Sequence, residues 1–89
     1  MYEIVIFEAA EKFLDSLGDE AWHRCIRLLD ILAQDPKVDG RIKVFQPVPP
    51  AVFSLYADPE FWILYHIVRN VQVSVLNIDY AGAKVTPWR

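Results

Sequence analysis

The sequence is poor in the residues that build covalent or metal-held scaffolds. Cys25 is its one cysteine, which excludes an intramolecular disulfide, and His23 and His66 are its two histidines, too few to suggest a structural zinc site. No metal or cofactor is expected. No apolar run approaches the ~18 residues that a membrane-spanning helix needs. The opening MYEIVIFEAAEKF has neither the basic stretch nor the small-residue cleavage site of a secretory signal, so the expectation is a soluble protein of the cytoplasm that does not engage a membrane. Positive charge is scarce too. The net charge is −3, a weak field beside that of domains that hold nucleic acid by electrostatics.

What the chain does have is apolar substance: 54% of its 89 residues are hydrophobic and 24% charged, enough for one domain over residues 1–89 with a modest core. Charge is unevenly spread. Residues 1–36 carry eight acidic groups against three basic ones, while residues 37–89 carry six basic groups against four acidic, so an anionic partner would approach the C-terminal half.

Hydropathy periods divide the chain in two. YEIVIF (2–7) alternates and is rich in β-branched and aromatic residues, which predicts a strand. From Glu8 the period becomes helical, with Ala10, Phe13, Leu14 and Leu17 on one side. Gly18 interrupts it, Asp19 suits an N-cap, and Trp22, Ile26, Leu29 and Ala33, flanked by Cys25, Leu28 and Leu32, form a second stripe that ends at Asp35-Pro36. Beyond Pro36 the helical period is gone. RIKVF (41–45) can be a strand, QPVPPA (46–51) cannot because its prolines lack N–H donors, and VFSLYA (52–57) resumes alternation. Asp58-Pro59-Glu60 is a turn into FWILYHIV (61–68), and Arg69-Asn70 is a two-residue hairpin connection into VQVSVLNID (71–79).

This order, β-α-α-β-β-β-β, resembles the RelE/ParE family, the toxins of bacterial toxin–antitoxin pairs. The likeness is carried by YEIVIFEAAEKFLDSL, LLDILAQDPKVDGRIKVF, ADPEFWILYHIV and VSVLNID. It implies an α+β domain in which a mostly antiparallel, twisted sheet has helices on one face and a concave groove on the other. It also implies an antitoxin protein as partner, and either the ribosome and its mRNA or gyrase as target.

Within that frame side chains two apart on a strand share a face. The more uniformly apolar rows, Phe53 and Leu55, and Phe61, Ile63, Tyr65 and Ile67, are assigned to the core. Ser54, Tyr56, Trp62, Leu64 and His66 are left for the groove. The mRNA-cleaving members of the family let an RNA 2′-hydroxyl attack its own phosphodiester while Lys and Arg stabilise the charge on phosphorus. Here the usual Tyr-Arg after the turn is Phe61-Trp62, the basic positions of the preceding strand are Ser54 and Tyr56, and the basic cluster after the last strand is Tyr80-Ala81-Gly82-Ala83.

The candidates for residual catalysis are His66, Tyr80 and Lys84, with Arg41 and Lys43 as phosphate contacts. Each has a plainer alternative: an interface histidine, a tyrosine packed at the rim, and solvated surface charge. Tyr56 and Trp62 suit a bound peptide, since such aromatics dominate protein interfaces, or stacked bases. Trp62 packing against VTPWR (85–89) is the plain alternative. The expectation is thus a toxin component with a weak or inactive ribosome-dependent mRNA nuclease. The alternatives are a catalytically silent binding module or homodimer of the same fold, or a ParE-type gyrase inhibitor.

Overall fold

The computed structural model describes residues 1–37, the main chain of 42–45, and residues 53–86. The elements run β1 (Glu3–Ile6), α1 (Glu8–Asp15), α2 (Asp19–Gln34), β2 (Ile42–Phe45), β3 (Phe53–Ala57), β4 (Phe61–Val68) and β5 (Gln72–Tyr80), the predicted order. They build an α+β fold with one five-stranded sheet in the order β1-β5-β4-β3-β2. The sheet is antiparallel except for β1, which lies parallel to β5 and pairs Ile4 with Val73 and Ile6 with Val75.

Both helices pack on one face of the sheet. Ala10 and Leu14 of α1, and Cys25, Leu29 and Leu32 of α2, meet Tyr56, Phe61, Ile63, Tyr65, Val73, Val75 and Ile78 in a single core cluster. The α2 stripe buries Cys25, Leu29, Leu32 and Ala33 as expected, but Trp22, at its start, remains 38% exposed. The N-cap of α2 is Gly18 in extended conformation, not Asp19. Asp19 and Glu20 instead fill the first turn, where their charge complements the helix dipole. Glu8–Lys12 (3.1 Å) and Glu20–Arg24 (3.4 Å) are ion pairs one turn apart with the acid on the N-terminal side, the favourable sense. Arg24 also reaches Glu60 at 2.9 Å, tying α2 to the β3–β4 turn. Asp58 organises that turn, its carboxylate accepting the Glu60 N–H at 3.0 Å.

The β4–β5 hairpin closes as expected. Arg69 and Asn70 both take positive φ, 54° and 58°, and the Val71 N–H bonds the Val68 carbonyl at 3.1 Å, the pattern of a type I′ turn. Among the described residues no helix is long and apolar enough to cross a membrane.

Candidate functional site

The face of the sheet away from the helices is set by register, because residues directly opposite one another share a face. On β4 the expected division holds: Phe61, Ile63 and Tyr65 lie in the core, so Trp62, Leu64 and His66 point the other way. On β3 the expected faces are reversed. Tyr56 lies opposite Ile63 and Ser54 opposite Tyr65, which puts Ser54 and Tyr56 on the helix side and Phe53, Leu55 and Ala57 on the open face. Tyr56 is 2% exposed within the core. Both rows of β3 contain an aromatic residue, so hydropathy cannot choose between them; pairing with β4 does, and it favours burying the Tyr56 ring against the helices.

A bulge in β5 completes the face. Leu64 pairs with Asn77 and Tyr65 with Val75, so Leu76 is the extra residue, and the parity of β5 changes there. Val73 and Val75 point to the core on one side of the bulge and Ile78 on the other. The open face therefore receives Ser74 beside His66, Asn77 beside Leu64 and Asp79 beside Trp62. Ser74, Asn77 and Asp79 are all buried polar residues. Asn77 and Asp79 each turn a side-chain oxygen back to the next main-chain N–H, of Ile78 at 2.9 Å and Tyr80 at 2.8 Å. Gln72 donates to the Ser74 hydroxyl at 2.9 Å.

The face is not an open aromatic groove. Residues 81–86 cross it: the Trp62 indole N–H donates to the Ala83 carbonyl at 3.0 Å, and the Asn77 amide donates to the Thr86 carbonyl at 2.9 Å. Trp62 and Leu64, expected as accessible partner contacts, are 3% and 0% exposed. The packing of Trp62 against the chain's own C-terminal segment is thus what the fold shows, beginning earlier than the expected 85–89.

The predicted catalytic residues do not converge. Tyr80 lies opposite Phe61 on the helix side and packs its ring on Phe61 and Phe13, with centroids at 5.8 and 5.1 Å. His66 is exposed on the other face, five residues farther along β4, or about 17 Å at the rise of an extended strand. Lys84 is exposed on the crossing segment. The main chain of Lys43 pairs with Leu55, its side chain lies outside the described residues, and so does Arg41. Among the described residues no three His, Cys, Asp or Glu side chains gather to hold a metal. Among the described residues, a hollow of about 360 Å³ beside Trp22 and His23 and another of about 140 Å³ between Arg24 and Phe61 lie on the helix side.

No protein-family model matches this chain and no curated protein matches it in sequence. Solved structures do match. The toxin–antitoxin complex RelBE2 of Mycobacterium tuberculosis superposes with a TM-score of 0.74 at 17% identity, covering 89% of this chain and 96% of the other. The RelE–RelB complex of Pyrococcus horikoshii OT3 gives 0.70 at 16% identity over 93% and 98% of the two chains. The isolated RelE toxin of E. coli gives 0.68 at 17% identity over 94% and 88%. The fold is that of RelE toxins.

On this RelE-like fold the strands contribute no Lys or Arg to the open face among the described side chains; what lies at its centre is Trp62, Leu64, Asn77 and Asp79. Asn77, Asp79 and Thr86 are residues of this face that the sequence pattern does not single out. A polar residue at alternate positions of an otherwise apolar strand, as in VSVLNID, is the one signal that could have found the first two.

Proposed function

We propose that this chain is the toxin-fold member of a toxin–antitoxin pair, that it works by binding a protein partner across the open sheet face, and that it cleaves ribosome-bound mRNA weakly or not at all. The matched complexes pair RelE with RelB, which supports an antitoxin as the partner. One observation carries the catalytic half: among the described side chains the strands contribute no Lys or Arg to the open face, and phosphodiester chemistry needs cations. Removing one preorganised donor to developing negative charge typically lowers a rate by about 10²–10³.

Purified protein incubated with programmed ribosomes is expected to yield no codon-specific transcript ends above background. Co-expressed with the product of an adjacent short reading frame, it should elute as a complex. Codon-specific cuts that disappear in His66→Ala would restore the nuclease and overturn the proposal.

A further inference from the structure

β1 ends the sheet, and among the described residues no strand lies beyond it. Its hydrogen-bonding groups divide by parity. The Glu3 and Phe7 N–H groups bond the carbonyls of Val71 and Val75, each at 2.9 Å, so the main-chain groups of the even-numbered residues point away from β5. Tyr2 is satisfied there, its N–H bonded to the Ala33 carbonyl at 2.7 Å. Ile4 and Ile6 are left with outward N–H and carbonyl groups that no strand or side chain among the described residues meets. The strand has no proline, lysine or bulge to blunt this edge, and only its brevity limits what can pair with it. Met1, Phe7 and Val71, large apolar residues that stay exposed, flank it.

We infer that the free edge of β1 pairs antiparallel with β1 of a second copy, about a two-fold axis at Val5, joining two five-stranded sheets into one. The available groups choose the register. Pairing centred on Ile4 would call on Tyr2, whose N–H is already taken, and pairing centred on Ile6 would call on Glu8, which opens α1. Centred on Val5, it sets Ile4 against the second copy's Ile6 and Ile6 against its Ile4, which satisfies every outward group of both. Side chains agree with that register. Ile4 and Ile6 pack on the core, so Glu3, Val5 and Phe7 line the open side. Glu3 then meets the second copy's Phe7 and Val5 meets Val5, and no two like charges face each other across the join. Each copy still carries a net charge of −3, so salt should strengthen the association by screening their repulsion.

Hydrogen exchange in the unmodified chain is the first test. The Ile4 and Ile6 amides should exchange at least about threefold more slowly at about 1 mM chain than at about 20 µM, with the Glu3 and Phe7 amides unchanged. Raising salt from about 50 mM to about 500 mM should increase that protection. Sedimentation should show the mean mass rising from one chain towards two over the same range. Val5→Cys should cross-link two chains on oxidation, because residues facing in a non-hydrogen-bonded pair stand about 4.5 Å apart at Cα, within disulfide reach. Glu3→Cys should not, its two copies lying about 14 Å apart along the strands. Cys25 is sealed and does not compete. Val5→Lys should abolish association, and mixing it with Val5→Glu should restore it.

A chain that sediments as a monomer at the highest concentration, with the Ile4 and Ile6 amides equally fast throughout, overturns the inference, and this result does not depend on any variant folding. Association that leaves these two amides unprotected, or that cross-links Glu3→Cys as readily as Val5→Cys, overturns the interface. Protection that appears only when a different protein is added makes the occupant a foreign strand and overturns the choice of a second copy. The edge and the open face are separate surfaces, so ribosomal cleavage and binding across the open face bear on none of these readouts.

Discussion

Tyr65 is sealed in the core, with its hydroxyl donating to the Pro36 carbonyl at 2.5 Å, and this bond anchors the exit of α2 to the central strand. Burial raises the Tyr65 pKa to about 12, partly opposed by the Ser54 hydroxyl, and burial likewise raises the Cys25 thiol to about 11. Both groups are neutral when protonated. The stability they contribute is therefore fully present below their ordinary values of 10.0 and 9.0 and is lost as pH rises through about 12 and about 11. Tyr65→Phe leaves the ring in place but orphans the Pro36 carbonyl, which should cost about 1–3 kcal/mol in urea unfolding at pH 7. It should also flatten the loss of stability between pH 10 and 12. An alkaline limb identical to that of the unmodified chain would show that Tyr65 does not set it. From the sequence Tyr65 is legible as a core residue, since its row is apolar. Its bond to Pro36 is not, because 29 residues separate the partners.

At the level of elements the β4–β5 hairpin is where sequence and structure agree most closely. Two residues between alternating runs specify the turn, and the turn specifies the register near it. Its first residue is not the best suited to the turn. Arg69 holds φ at 54°, a conformation in which asparagine is several-fold more at ease. Arg69→Asn is expected to raise stability by about 0.5 kcal/mol, a rise of roughly 2–4 °C in melting temperature for a domain of this size. A lower melting temperature would mean that Arg69 makes a compensating contact. The far half of β5 was less legible. VQVSVLNID reads as one alternating strand, yet Leu76 is accommodated as a bulge that moves Asn77 and Asp79 to the open face. A bulge leaves no sure mark in hydropathy, and it appears only when Leu64 and Tyr65 must both be paired.

For the whole molecule charge is the governing property. The acidic excess of residues 1–36 lies largely on the helices, where Glu8, Glu11 and Asp15 are exposed. With a net charge of −3, the chain should bind a labelled 20-nucleotide RNA at 150 mM salt more weakly than about 10⁻⁴ M, the weak end for non-specific binders. Micromolar affinity with a steep salt dependence, measured by fluorescence anisotropy, would contradict this electrostatic reading.

By itself the sequence determined the element order, the fold class and the faces of β4, because those follow from the period of apolar residues and from turn chemistry within a few residues of each other. Only the tertiary structure decided the faces of β3, the place of Tyr80 and the fate of Trp62. In each case the choice falls to contacts made across the fold: Tyr56 against Ile63, Tyr80 against Phe13 and Phe61, Trp62 against the carbonyl of Ala83. A strand slipped by one residue keeps its pattern and exchanges its faces, so pairing rather than pattern settles the matter.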